Sequence, residues 1–151
     1  MAISAMEAAK IACQESEWEL SNLQLQKILY IASMSYAGST EGKDTLIGDE
    51  YFQAWKYGPV LPDVYQSAYQ FGSGPIEKLP GSQTSSIPPW TPEYKEIQRA
   101  VQKLKDKPVF ELVEFTHSEI GAWHDAYNSG YNMPIFPEDI YSEYKMRMGI
   151  H

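Results

Sequence analysis

Apolar positions along the chain follow two periods, and each predicts its own elements. Recurrence every three to four residues predicts helices, and one short alternating stretch predicts a strand. Ser4 with Glu7 three residues on forms a capping-box start, and Met6, Ala9 and Cys13 lie on one stripe of a helix running to about Glu15. Its stripe is weakly apolar, which predicts a peripheral position. Ser21 and Gln24 repeat the start signal, Leu25, Ile28, Leu29, Ala32 and Tyr36 follow at helical spacing, and Gly38 closes the element. This helix belongs in the core. Its polar face carries Gln24 and Lys27 with Tyr30 beside them, and Lys27 reads as a surface lysine with its stem along apolar neighbours. A polar loop over 39–49 leads to Tyr51–Tyr57, a short, nearly all-buried strand with Tyr51, Gln53, Trp55 and Tyr57 on one face and Phe52, Ala54 and Lys56 on the other. Gly58 and Pro59 force a bend, and Pro62 suits the first turn of a helix to Phe71, with Tyr65, Ala68 and Tyr69 inward and Gly72 just past its end.

The second half alternates breakers and short helices. Ser, Gly and Pro clusters over 72–89 predict a long surface loop pinned by Ile76, Leu79 and Ile87. Thr91-Pro92-Glu93 starts a helix with Tyr94, Ile97, Val101 and Leu104 inward and Lys95, Arg99, Lys103, Lys105 and Lys107 outward. Pro108 opens a helix whose Val109, Leu112, Val113 and Phe115 predict burial. Thr116-His117-Ser118 ends it, and Ser118 is placed to cap a further helix from Glu119 to Tyr127. Pro137 opens the last helix, with Ile140, Tyr144 and Met148 inward. The expected fold is mainly α with a small β element (α+β), a single compact domain of about six helices. A lone strand cannot satisfy its own backbone, so a partner strand is expected from Asp44–Ile47 or from the loop between Ile76 and Ile87.

Composition narrows the function classes. At 151 residues the chain fits one domain, and 43% hydrophobic with 13% aromatic content excludes a disordered chain. No apolar run reaches a membrane span of roughly 20 residues and no secretory signal is visible, so a soluble protein is expected. The single Cys13 suits a reducing cytoplasm. Twelve basic against twenty acidic residues give a net charge of −8, which repels nucleic acid and anionic membranes and favours a protein partner of positive potential. His117 and His124 lack the further ligands of a metal site. Cys13, Thr116 and Ser118 sit in no nucleophile motif, and Gly72-Ser-Gly-Pro75 is no phosphate loop, so neither cofactor nor catalysis is expected.

Three phrases occur in a fixed order: Ser21-Asn-Leu-Gln-Leu-Gln-Lys-Ile-Leu-Tyr30; Ala54-Trp-Lys-Tyr-Gly-Pro-Val60 followed by Pro62-x-Val64-Tyr65; and Thr116-His-Ser118 with Ala122-Trp123. Together they resemble the Panacea domain, known also through phage-associated GepA-like proteins and SocA-like antitoxins. Their span covers about two thirds of the chain. One departure is Ala122, where proline precedes the tryptophan in many members of the family. The resemblance implies a small helical antitoxin that neutralises a toxin encoded beside it, by direct binding or as an adaptor delivering the toxin to an ATP-dependent protease. A homo-oligomer is compatible with it. An enzyme reversing the toxin's action, with its site at Thr116, His117 and Trp123, is the contrasting reading.

The residues divide into a structural set and a contact set. Leu25, Gln26, Lys27, Tyr30, Gly58, Pro59, Val60, Pro62 and Tyr65 read as fold determinants. Trp55, Lys56, Tyr57, His117 and Trp123 are candidates for toxin contact as well as for core structure. Glu111, Glu114, Glu119 and Asp125 have no Lys or Arg between them and form a candidate steering surface, with Tyr127 and Tyr131 as apolar anchors.

Overall fold

In the computed structural model, which describes residues 1–150, the chain is organised around one helix that is buried over most of its length. The order is α1 (Ala5–Glu15), α2 (Asn22–Ser39), β1 (Phe52–Trp55), β2 (Gly58–Val60), α3 (Pro62–Ala68) with a 3-10 turn (Tyr69–Phe71), α4 (Pro92–Leu104), α5 (Val109–Thr116), α6 (Ala122–Ser129), β3 (Pro134–Ile135) and α7 (Pro137–Met148). Seven α-helices and a small sheet are therefore present among the described residues, an α+β fold as expected. α2 starts at a complete capping box, in which Ser21 Oγ accepts from the Gln24 amide at 3.2 Å and Gln24 Oε1 accepts from the Ser21 amide at 2.9 Å. Leu25 to Tyr30 are all buried, because α1, α4, α5, α7 and β2 pack around α2.

α1 was expected at the periphery and is instead part of the core. Ala8, Ala9, Ile11, Ala12 and Cys13 are fully buried. Small side chains bring α1 close to α2 and α4, so a weak apolar stripe reflects close approach rather than exposure. The capping signal at Ser4 holds, with its hydroxyl accepting from the Glu7 amide. α4 begins as read, with Thr91 as cap and Pro92 in its first turn; Tyr94, Ile97 and Val101 are buried and the basic face is exposed.

The sheet departs from expectation in its partners. Neither 44–47 nor 76–87 supplies one; the order is β2-β1-β3, both pairs antiparallel. Trp55 pairs with Gly58 and Ala54 with Pro59, so Lys56 and Tyr57 form a two-residue hairpin loop. Gly58, at φ 114°, begins the returning strand instead of merely ending the first. Prolines in β2 and β3 disguised them as turns. Nor is the strand nearly all buried: Phe52 and Ala54 face the core, Gln53 and Trp55 are half-buried, and Tyr51, Lys56 and Tyr57 are exposed.

Four smaller corrections concern which side chains turn inward. Tyr69 is exposed, and Val64 joins Ala68 on the buried face of α3. α5 buries only Leu112 and Thr116; Val109 and Val113 are half-buried, while Phe110 and Phe115 face outward. α6 starts at Ala122, three residues later than expected, because Ser118 closes a turn to Gly121 rather than capping a helix. In α7, Met148 is exposed and Glu143 is buried in its place. The loop over 72–89 is irregular as expected and is anchored by buried Ile76 and Leu79, with the Ile76 amide bonded to the Leu20 carbonyl. Among the described residues no helix is long and apolar enough to cross a membrane.

Candidate functional site

The three phrases meet at one joint. α2 presents a buried polar column to the hairpin: Asn22 Nδ2 donates to the Tyr65 carbonyl at 3.1 Å, Gln26 Nε2 to Asn22 Oδ1 at 3.1 Å, and Gln26 Oε1 accepts from the Leu61 amide at 2.7 Å. Lys27 is fully buried, not a surface lysine, and its Nζ donates to the Pro59 carbonyl at 2.8 Å. β2 is an edge strand, so the Pro59 carbonyl and the following Leu61 amide have no ladder partner on its outer side, and Lys27 and Gln26 supply one each. Burial pulls the Lys27 amine down from 10.5 to about 7. Gly58 lies directly over it: a Cβ there would come within 2.7 Å of Lys27 Cε and 2.9 Å of Thr116 Oγ1.

On the outer side, His117 closes α5 and its ring stacks on Trp123 at 3.8 Å, and Trp123 stacks in turn on Tyr127 at 4.7 Å. Trp123 is buried and its indole N–H donates to the Trp55 carbonyl at 2.7 Å, locking α6 to the hairpin. Burial, with Lys27 nearby, holds His117 below its usual value. Thr116 turns its hydroxyl back to the Val113 carbonyl at 3.0 Å. Among the described residues no hydroxyl or thiol is hydrogen-bonded to His117, and no three His, Cys, Asp or Glu side chains gather as a metal set. Among the described residues the joint thus shows no nucleophile hydrogen-bonded to a base.

A residue that sequence reasoning missed fastens the far side. Glu143 of α7 accepts from Tyr30 Oη at 2.6 Å and from the Ala122 amide at 3.0 Å, and holds Arg147 at 2.7 Å. It thus caps α6 from another helix. A proline in place of Ala122 has no amide to donate, so this chain's departure from the resemblance matches a bond it makes. The signal was present: position 143 lies three residues after Ile140 on the inward stripe.

Of the contact candidates, His117 and Trp123 are held in the joint and the others fall into two zones that reach solvent. Trp55, Lys56, Tyr57 and Tyr65 line a groove of about 510 Å³ with Tyr69, where Trp55 and Tyr65 meet edge-to-face at 5.0 Å. Glu111, Glu114, Glu119 and Asp125 are all exposed, as are Tyr127 and Tyr131, the latter at 91%. Among the described residues Glu111, Glu114 and Glu119 have no cationic partner, and Asp125 has only His124 at 3.7 Å. Leu25, Val60 and Pro62 complete the structural set as core, hairpin and first-turn residues.

The family model described as "Antitoxin SocA-like, Panacea domain" matches residues 25–124. The chain belongs to the Panacea-domain family. It is 32% identical over 112 residues to Antitoxin SocA of Caulobacter vibrioides (strain NA1000 / CB15N), which covers 69% of this chain and 58% of that protein, so it spans under two thirds of the relative's length. No solved structure matches. The Panacea match runs from α2 into α6 and contains most of the joint, leaving Asn22, Tyr127, Glu143 and Arg147 outside it.

Proposed function

We propose that this chain is an antitoxin that neutralises a toxin by direct complex formation, steered by the acidic edge of α5 and α6. The observation that carries this reading is the row of exposed carboxylates without cations, Glu111, Glu114 and Glu119, beside the Trp123–Tyr127 stack of an antitoxin-family joint. Carboxylates free of internal partners act on a positively charged protein at long range, which raises the association rate, while apolar contacts set the lifetime.

The test co-expresses the chain with the product of the adjacent gene and compares the parent with Glu114→Lys/Asp125→Lys. Both side chains are exposed, so the variant is expected to melt as the parent does. Toxin association is expected to slow at low salt and to converge with the parent near ~0.5 M, where screening shortens to a few ångströms. An unchanged on-rate and salt slope would move the toxin to another surface, with Lys95, Arg99 and Lys103 next to be examined. Following toxin abundance in the same cells separates blocking, which leaves the toxin level intact, from delivery to a protease, which lowers it.

A further inference from the structure

The outward turn of Phe115 opens a second furrow, between α2, α5 and α7, of about 480 Å³ and walled by Ile31, Met34, Phe115, Ile120, Tyr144 and Met148. We infer that this furrow receives a basic amphipathic helix of the toxin, an inference that rests on the antitoxin reading. Two of the three polar side chains in its wall are already engaged. Ser35 Oγ donates to Glu96 at 3.1 Å, and Arg147 is held by Glu143, by the Phe115 carbonyl at 2.7 Å and by the Phe115 ring at 3.8 Å. A small polar ligand would find no convergent donors or acceptors to fix it. An extended peptide needs main-chain partners, and walls made of helices have none to offer. A helix satisfies its own backbone and needs only an apolar face, set into the furrow at i, i+3 or i+4, and i+7.

Charge then selects which helix. Glu111 lies one turn before Phe115 on the same face of α5, and Glu114 and Glu119 are chain neighbours of Phe115 and Ile120. The carboxylates without cations therefore adjoin residues of the furrow wall, and the cation in that wall, Arg147, is neutralised by Glu143 at 2.7 Å. Lysines and arginines flanking the apolar face of the incoming helix complement that border. A second copy of this chain is the poorer occupant, since its one strongly basic helix, α4, turns its apolar stripe into its own core.

A photo-crosslinking residue placed at Ile120, at Met148 and, as a control, at Tyr69 in the full chain co-expressed with the adjacent gene's product tests this. Adducts from 120 and 148 are expected on one toxin segment with helical apolar spacing and an excess of Lys and Arg. Ile120→Glu with Met148→Glu is expected to weaken the complex at least tenfold without lowering the melting temperature, and Trp90→Glu, at an exposed side chain outside both candidate zones, to leave it unchanged. Adducts from Tyr69 alone, adducts joining two copies of the chain, an acidic or extended partner segment, or no adduct at 120 and 148 while neutralisation persists would each overturn the furrow assignment and leave the antitoxin standing. Failure of the parent chain to neutralise the toxin would remove the antitoxin reading itself.

Discussion

Lys27 carries the sharpest consequence at the scale of one residue. Its amine titrates at about 7 in the folded chain and near 10.5 unfolded, so between these values the unfolded state binds the extra proton and stability rises with pH. The slope is at most ~1.4 kcal/mol per pH unit. Cys13, pushed up from 9.0 to about 12 by burial, acts with the opposite sign above pH 9, so the rise is confined to about pH 7 to 9. Urea denaturation across that window is expected to show the rise in the parent and its loss in Lys27→Met, which conserves volume but cannot titrate; the N-terminal amine, held above 8.0 by its bond to Asp44, acts with the opposite sign in both above pH 8. His117, lowered below 6.5, contributes the same sign only at more acid pH. Gly58→Ala is expected to cost about 1–3 kcal/mol in the same assay, since a positive φ and a Cβ pressed on Lys27 and Thr116 leave no relaxed position. Among the tryptophans, the large loss belongs to Trp123→Ala at about 3–5 kcal/mol, because Trp123 is buried, whereas Trp55 is only half-buried and stacked on Tyr65.

Between elements, Glu143 is the fastening that α2, α6 and α7 share. Glu143→Ala strands the Ala122 amide, the Tyr30 hydroxyl and Arg147 together, and a loss of about 3–5 kcal/mol is expected on chemical denaturation. Hydrogen exchange should then show α6 opening before α2, since α6 loses its cap while α2 keeps its box. Equal protection of the two helices would mean that Trp123 and the hairpin alone hold α6. The loop over 72–89 is tied in a different way. Glu7 of α1 accepts from the Ser86 amide at 2.6 Å and Gln14 from the Ser85 amide at 2.7 Å, so a helix mistaken for peripheral also pins the longest irregular segment.

For the whole molecule, the family match and the folding unit differ in extent. Residues 25–124 hold most of the joint, but Ile11 and the alanines of α1 and Ile140 and Glu143 of α7 close the core around α2. A chain cut to 25–124 is therefore expected to lose its cooperative melt by circular dichroism while the full chain keeps it. A cooperative transition in the fragment would place α1 and α7 outside the folding core. Net charge acts at this scale too: a balance of −8 spread over the surface attracts a basic partner generally, and only the local clustering on α5 and α6 gives that attraction a direction.

Local signals decided what local chemistry can decide. The caps at Ser4, Ser21 and Thr91, the first-turn prolines 62, 92 and 137 and the positive φ of Gly58 were legible because each satisfies its own few neighbours. The family phrases were equally plain, as runs of residue types, and they correctly marked a shared joint. What the chain order could not state was which distant backbone atom each polar side chain serves. Lys27 looks like any helix-surface lysine until the Pro59 carbonyl is brought above it from 32 residues away. Phe115 looks like core until α2 and α7 leave it at the edge of an open furrow. Burial is a property of the assembled neighbours, and a hydrophobic side chain of a short helix has no means of recording whether a neighbour arrives.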